Sequence, residues 1–196
     1  MIIGLTGPQR AGKTTVYDHF HNKHNFVRLS IAAQIKKEAH RLVGMEFTDA
    51  EKDEPQPTLN GATPRDLYIY IGQLDEYYFP LWVERMFRDE YQGPGTNHVI
   101  ESVGKPFQWA AIMGFAHQNH DHCVIFDVSR PDYEYKDSRS PILDYHNMMR
   151  VENKRGLDDL YRELDDFYLP ALLKMKFDRT DEEIRAYIER IKNAKG

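Results

Sequence analysis

Residues 4–15 read GLTGPQRAGKTT and follow directly on the apolar run Met1-Ile2-Ile3. Within them, Gly7-Pro8-Gln9-Arg10-Ala11-Gly12-Lys13-Thr14 satisfies G-x-x-x-x-G-K-[ST] at every fixed position. Glycines let the backbone turn so that successive N–H groups point inward, toward phosphate oxygens. A helix starting at the end of the loop adds its positive N-terminal pole. In that setting Lys13 reaches the β and γ phosphates of a nucleotide, and the Thr14 hydroxyl coordinates Mg²⁺. The motif requires a strand before it and a helix after it. Ile2 to Thr6 reads as a short buried strand, and Lys13 to about Lys23 as a helix. The stretch predicts a phosphate cradle made by Gly7, Arg10, Ala11, Gly12, Lys13, Thr14 and Thr15, with ATP and Mg²⁺ as cofactors.

Outward from the loop, strands alternate with helices. Phe26 to Ser30 reads as a strand, and Ser30 caps a helix through IAAQIKKEAHRLVG that Gly44 stops. Residues 46–62 are acidic and rich in turn formers. Thr63-Pro64 opens another helix, with Leu67, Tyr70, Ile71 and Leu74 at helical spacing. A further helix spans about Pro80 to Tyr91 and ends at the GPG of 93–95. HVIESV, HCVIFDVS and MMRVEN read as strands, and PFQWAAIMGFAHQ as the helix after the first of them. Residues 131–147 are polar and irregular, and two helices close the chain, GLDDLYRELDDFYLPALLKMK and TDEEIRAYIERIKNA. Strands that are continuous apolar runs between helices predict one α/β domain, a parallel sheet covered on both faces. Its ligands are expected at the carboxyl ends of the strands.

The bulk composition fits. The chain has 196 residues, 41% hydrophobic and 29% charged, as one globular domain requires. No apolar run approaches the roughly 20 residues of a membrane span, so no membrane partner is expected. Met1 to Leu5 leads straight into the loop without a signal-peptide pattern, and Cys123 is the one cysteine, so a reducing, cytoplasmic setting is expected. A net charge of −5 argues against wholesale nucleic-acid binding.

No guanine-reading N-K-x-D occurs in the chain. The order of parts is instead that of a nucleoside or nucleotide kinase: phosphate loop, second strand, helical insertion, third strand, polar segment after the fourth strand, last strand. Several segments carry a closer likeness: RLSIAAQIKKEAHRLVGM, TPRDLYIYIGQLDEYYFPLWVERM, HVIESVGKPFQWAAI, VIFDVSRP and MMRVENKRGLDDLYREL. Together with the loop they resemble the phage-type deoxynucleoside monophosphate kinases, near the thymidylate kinases. The resemblance implies a P-loop kinase fold with a helical acceptor region near 46–92 and a lid near 130–147. It implies phosphoryl transfer from ATP to a deoxynucleoside monophosphate, thymidine-like. Two positions depart from the pattern. Thr14 follows the loop lysine where the phage enzymes often carry Asp, and the third strand ends Glu101-Ser102-Val103-Gly104-Lys105 rather than Asp-Val-Arg. The acceptor thus stays open between a free monophosphate and a 5-hydroxymethyluracil base in DNA, the substrate of a related set of phage kinases. A nucleotide-binding protein without catalysis is a further alternative, and a homodimer is a possible assembly.

Phosphoryl transfer needs positioned positive charge and an in-line acceptor. Lys13 and Arg10 are the first candidates. Arg130 and Arg139, in RPDYEYKDSR, sit where a lid would close, although Asp132, Glu134 and Asp137 could equally balance them in an ordinary loop. Arg65, just inside a helix start, could hold an acceptor phosphate, and Arg28 likewise; both could equally be surface arginines. Tyr70 stands for the aromatics at 68–82 that could stack on an acceptor base or simply pack. Glu101 and Asp127 both fall near strand ends, and Glu101 is preferred as Mg²⁺ ligand or proton acceptor. Asn153 could face the adenine side of ATP. His117, His120 and His122 form H-x-x-H-x-H, which reads better as a solvated helix end than as a zinc site.

Overall fold

The structure, a computed structural model, describes residues 1–78, 80–131, 148–154 and 156–177, the backbone alone at 75–78 and 175–177. Arg139, nearly all of the expected lid, and the helix read over TDEEIRAYIERIKNA lie outside the described residues. Five strands form one sheet: β1 (Ile2–Thr6), β2 (Val27–Leu29), β3 (His98–Ile100), β4 (Cys123–Ser129) and β5 (Met148–Glu152). They are all parallel and lie in the order β2-β3-β1-β4-β5. The expected α/β architecture, a parallel sheet with helices on both faces, is the one observed.

Side chains that alternate along β1 separate two cores. Ile3 and Leu5 face α1 (Lys13–His24) and the C-terminal helix, in a cluster with Val16, Phe20, Phe126, Val128, Leu160 and Leu164. Ile2 faces the other way, toward Leu29, Ile71, Trp82, Met86, Trp109 and Ile112. That second layer holds α2 (Ile31–Val43), α3 (Pro64–Tyr78), α4 (Leu81–Glu90) and α5 (Pro106–Gln118). The helix signals in the sequence act as read. Ser30 Oγ accepts from Ala33 N at 3.2 Å, and Gly44 closes α2 with φ 71°. Thr63 and Asp66 cap each other: Thr63 Oγ1 accepts from Asp66 N (3.2 Å) and Asp66 Oδ2 from Thr63 N (2.9 Å).

Three expectations need correction. The strand read over HVIESV stops at Ile100. Beyond it Glu101 N bonds to Leu29 O (3.4 Å) and Val103 N to Leu5 O (2.7 Å), so the chain swings across the strand ends instead of extending β3. Tyr70 does not join the apolar stripe of α3; it is 67% exposed, while Ile71 fills the core. The helix read as one piece over 156–176 is α6 (Leu157–Glu163), a π turn over Leu164–Tyr168, and α7 (Leu169–Phe177). Pro170 explains the break, since it has no N–H to offer the carbonyl four residues back.

Candidate active site

In an all-parallel sheet every strand delivers its carboxyl end to the same edge. The segments leaving β1, β2, β3, β4 and β5 therefore share one rim, and with them Gly7 to Lys13, Ser30, Glu101, Arg130 and Asn153. The chain order reverses at β1, whose neighbours are β3 and β4, so the phosphate loop emerges at the switch point.

The loop has the conformation its glycines allow. Gly7 has φ 128° and Gly12 φ 106°, and Arg10 also adopts a left-handed conformation at φ 66°. Gly7 lies so close to β4 that a Cβ there would meet the Val128 carbonyl oxygen at 2.1 Å. At Gly12 a Cβ would meet Asn153 Nδ2 at 3.0 Å, which puts the Asn153 side chain against the loop. Asn153 is held there by its own N–H, which donates to Ser129 O at 2.8 Å. Ala11 is fully buried and fixes the loop's underside in the core.

Lys13, half-buried, turns back over this loop, and its ammonium donates to Gly7 O (2.7 Å) and Pro8 O (2.8 Å). Burial lowers the pKa of the amine, and the nearby Glu101 carboxylate opposes that shift. Thr14 Oγ1 donates to Glu101 Oε1 at 3.5 Å. A hydroxyl and a carboxylate from opposite sides of the switch point thus meet beside the cation, the oxygen donors that suit Mg²⁺. Asp127 pairs in register with Thr6 and Arg150, deeper between β1 and β5. Burial raises its pKa, only partly offset by Arg150, and Glu101 rather than Asp127 stands beside Thr14.

The other sequence candidates divide. Thr15 lies in the first turn of α1. Arg10 and Arg130 are exposed on the rim. Arg28 is tied to Asp18 (2.5 Å) and lies 4.7 Å over the Tyr17 ring, facing α1. Arg65 forks onto both carboxylate oxygens of Asp53, within the segment expected to bind the acceptor, rather than onto any residue of the loop. Its ion pair supplies the partner that offsets the helix-start position. His117, His120 and His122 are all exposed, as the solvated reading expects.

Three residues near the rim were not singled out in the sequence. Glu90, at the end of α4, accepts from Gln34 Nε2 (2.7 Å) and from Ser30 N (3.2 Å). Buried Tyr17 has its phenol pushed up to about 12, by burial first and then by Glu101, with Glu90 adding to it and Arg28 opposing. Tyr17 lies one helical turn beyond Lys13, a spacing that could have flagged it; Gln34 and Glu90 meet only through tertiary packing.

No family model and no curated protein matches the chain. Among solved structures it is similar to a sugar kinase from Janibacter sp. HTCC2649, at 12% identity over 85% of this chain and 93% of that one, with a TM-score of 0.41. It is similar too to a gluconokinase from Sinorhizobium meliloti 1021, at 14% identity over 82% and 87% of the two chains, TM-score 0.42. A shikimate kinase from Aquifex aeolicus shows 15% identity, 100% and 98% coverage and a TM-score of 0.31. Likenesses this distant carry no argument about fold or activity, which rest on the geometry above.

Proposed function

We propose that the chain is an ATP-dependent phosphotransferase acting on a small phosphorylated acceptor, a deoxynucleoside monophosphate of thymidine type. The observation that carries it is the Lys13 ammonium held over two carbonyls of its own loop, beside the Thr14–Glu101 pair. A polyphosphate offers Lys13 charged acceptors in place of two neutral ones, a stronger hydrogen bond at the same reach. The positive φ of Gly7, Arg10 and Gly12 curls the loop, the backbone shape that turns successive N–H groups inward toward phosphate oxygens. Thr14 and Glu101 fit Mg²⁺, which when bound neutralises charge on the phosphate oxygens. Lys13 stabilises the charge that grows as the phosphoryl group transfers, and Arg10 and Arg130 are the further cations proposed to add to it. Taking the acceptor's proton is the alternative role for Glu101, in place of holding the ion. The acceptor as a deoxynucleoside monophosphate rests on the sequence resemblance, and a net charge of −5 favours it over a base within DNA.

The test is an acceptor screen with ATP and Mg²⁺, pairing all deoxynucleoside monophosphates with 5-hydroxymethyluracil-containing DNA. Diphosphate formation supports the proposal, label entering only the DNA replaces the acceptor, and ATP binding without transfer to anything makes the protein a non-catalytic binder. Lys13→Ala should lower turnover by at least about 100-fold, the scale of losing one preorganised charge contact. Turnover within a few-fold of the parent would remove Lys13 from the reaction.

A further inference from the structure

At the far end of α1, about 16 Å along the helix from Lys13, a second group of side chains converges that the phosphate site does not use. His19 Nε2 and His24 Nε2 both lie on Asp165 Oδ1, at 2.8 and 2.7 Å, and Lys23 holds Oδ2. The His19, His24 and Asp165 side chains are 6%, 5% and 10% exposed. Asp165 comes from the C-terminal helix, so the group joins positions 146 and 141 residues apart.

Three observations point beyond a hydrogen-bonded tie. One donor atom from each of His19, His24 and Asp165 lies within 4.8 Å of the others, close enough to share an ion. His24 Nδ1, the ring nitrogen turned away from Asp165, is buried with no hydrogen-bond partner, an unsatisfied group of a kind that calls for an explanation such as a water or ion at the ring. Asp165 also enters from the π turn over Leu164–Tyr168, and π turns inside helices are frequent at functional sites. Beside them His19 stacks on Tyr161 at 4.5 Å and 10°, which fixes the plane of one imidazole.

We propose that His19, His24 and Asp165 form a binding site for a transition-metal dication of the zinc, cobalt or nickel type, joining α1 to the C-terminal helix. Two imidazoles and one carboxylate suit these ions and not Mg²⁺, which prefers oxygen donors. Binding exchanges each Nε2 proton for the metal; the proton moves to Nδ1 of the ring or leaves to solvent. Lys23 keeps Oδ2 and orients the carboxylate, as outer partners of metal ligands do. A bound ion would stabilise the fold by mass action without entering phosphoryl transfer.

The experiment uses the untagged full chain, stripped with chelator, in excess Mg²⁺ so that oxygen-donor sites are filled. Titration with Co²⁺ should develop visible d–d absorption that saturates at one equivalent and is displaced by Zn²⁺. Zn²⁺ should raise the melting temperature where further Mg²⁺ does not. His24→Gln should lose the Co²⁺ spectrum and the Zn²⁺ shift while keeping ATP turnover within a few-fold. A wild-type chain with neither signal overturns the site, whatever the variants do. A Co²⁺ spectrum that survives in both His19→Gln and His24→Gln places the metal elsewhere and overturns it equally.

Discussion

Gly7 is the residue with least freedom to change. Its φ of 128° disfavours any side chain, and a methyl there would run into the Val128 carbonyl at 2.1 Å, an atom of the sheet backbone that cannot swing away. Gly7→Ala should therefore part β1 from β4 at the rim: calorimetric titration should find ATP binding lost, and the melting temperature should fall. A variant that binds ATP like the parent would show that the loop tolerates the displacement. At this scale the rim positions of Lys13, Thr14, Glu101 and Asn153 were readable, because a motif or a strand end marks them locally. Tyr17, Gln34, Glu90 and the His19–His24–Asp165 group were not. Apart from the one-turn spacing of Tyr17 from Lys13, nothing local marks them, because they meet only after α1, α2, α4 and the C-terminal helix have packed.

Among the elements, α2 shows how charge fastens one helix to its neighbours. Glu38 accepts from Arg41 on its own helix and from Arg85 on α4, at 2.7 and 3.0 Å, and is only 15% exposed. These hydrogen bonds, the Arg41 one foremost, lower its pKa from 4.5 to about 2 against the cost of burial. A carboxyl with a depressed folded pKa contributes stability above its unfolded value and loses it as pH falls through the folded one. Glu38→Gln should then cost stability at neutral pH, and the gap from the parent should close between about pH 4.5 and 2. Urea midpoints measured across that range check it; a gap that stays constant with pH would mean packing, not charge, holds the contact. Helix starts and stops were legible in the chain because Ser30, Gly44 and Thr63 act on their nearest neighbours; the return bond from Asp66 was found only in the structure. The early end of β3 was not, because the bond from Val103 N to Leu5 O is made between parts of the chain almost 100 residues apart. The π turn at Leu164 was half legible: Pro170 forbids a regular ladder, but where the slack falls is decided by the core.

For the whole molecule, the three-layer sandwich followed from apolar strands alternating with helices, whereas the lateral order of the strands did not. Trp109 is its keystone on the face covered by α2 to α5: fully buried, it packs so closely on β1 that a Cβ at Gly4 would lie 3.0 Å from its Cζ3. Trp109→Ala should destabilise the protein by about 3–5 kcal/mol, read as a lower denaturant midpoint with both cores melting together. A loss below about 1 kcal/mol would mean the layer closes up over the gap. The order β2-β3-β1-β4-β5 also bears on how the protein is made. Ile2 pairs with His98 on one side and Cys123 on the other, so the central strand is translated before both of its neighbours and has neither until roughly a hundred further residues exist. At about 5–20 residues per second, the nascent Ile2-Ile3-Gly4-Leu5 ribbon waits for seconds to tens of seconds, greasy and unpaired, outside the ribosome. In that interval its fate is a contest between chaperone capture and clumping with other nascent chains.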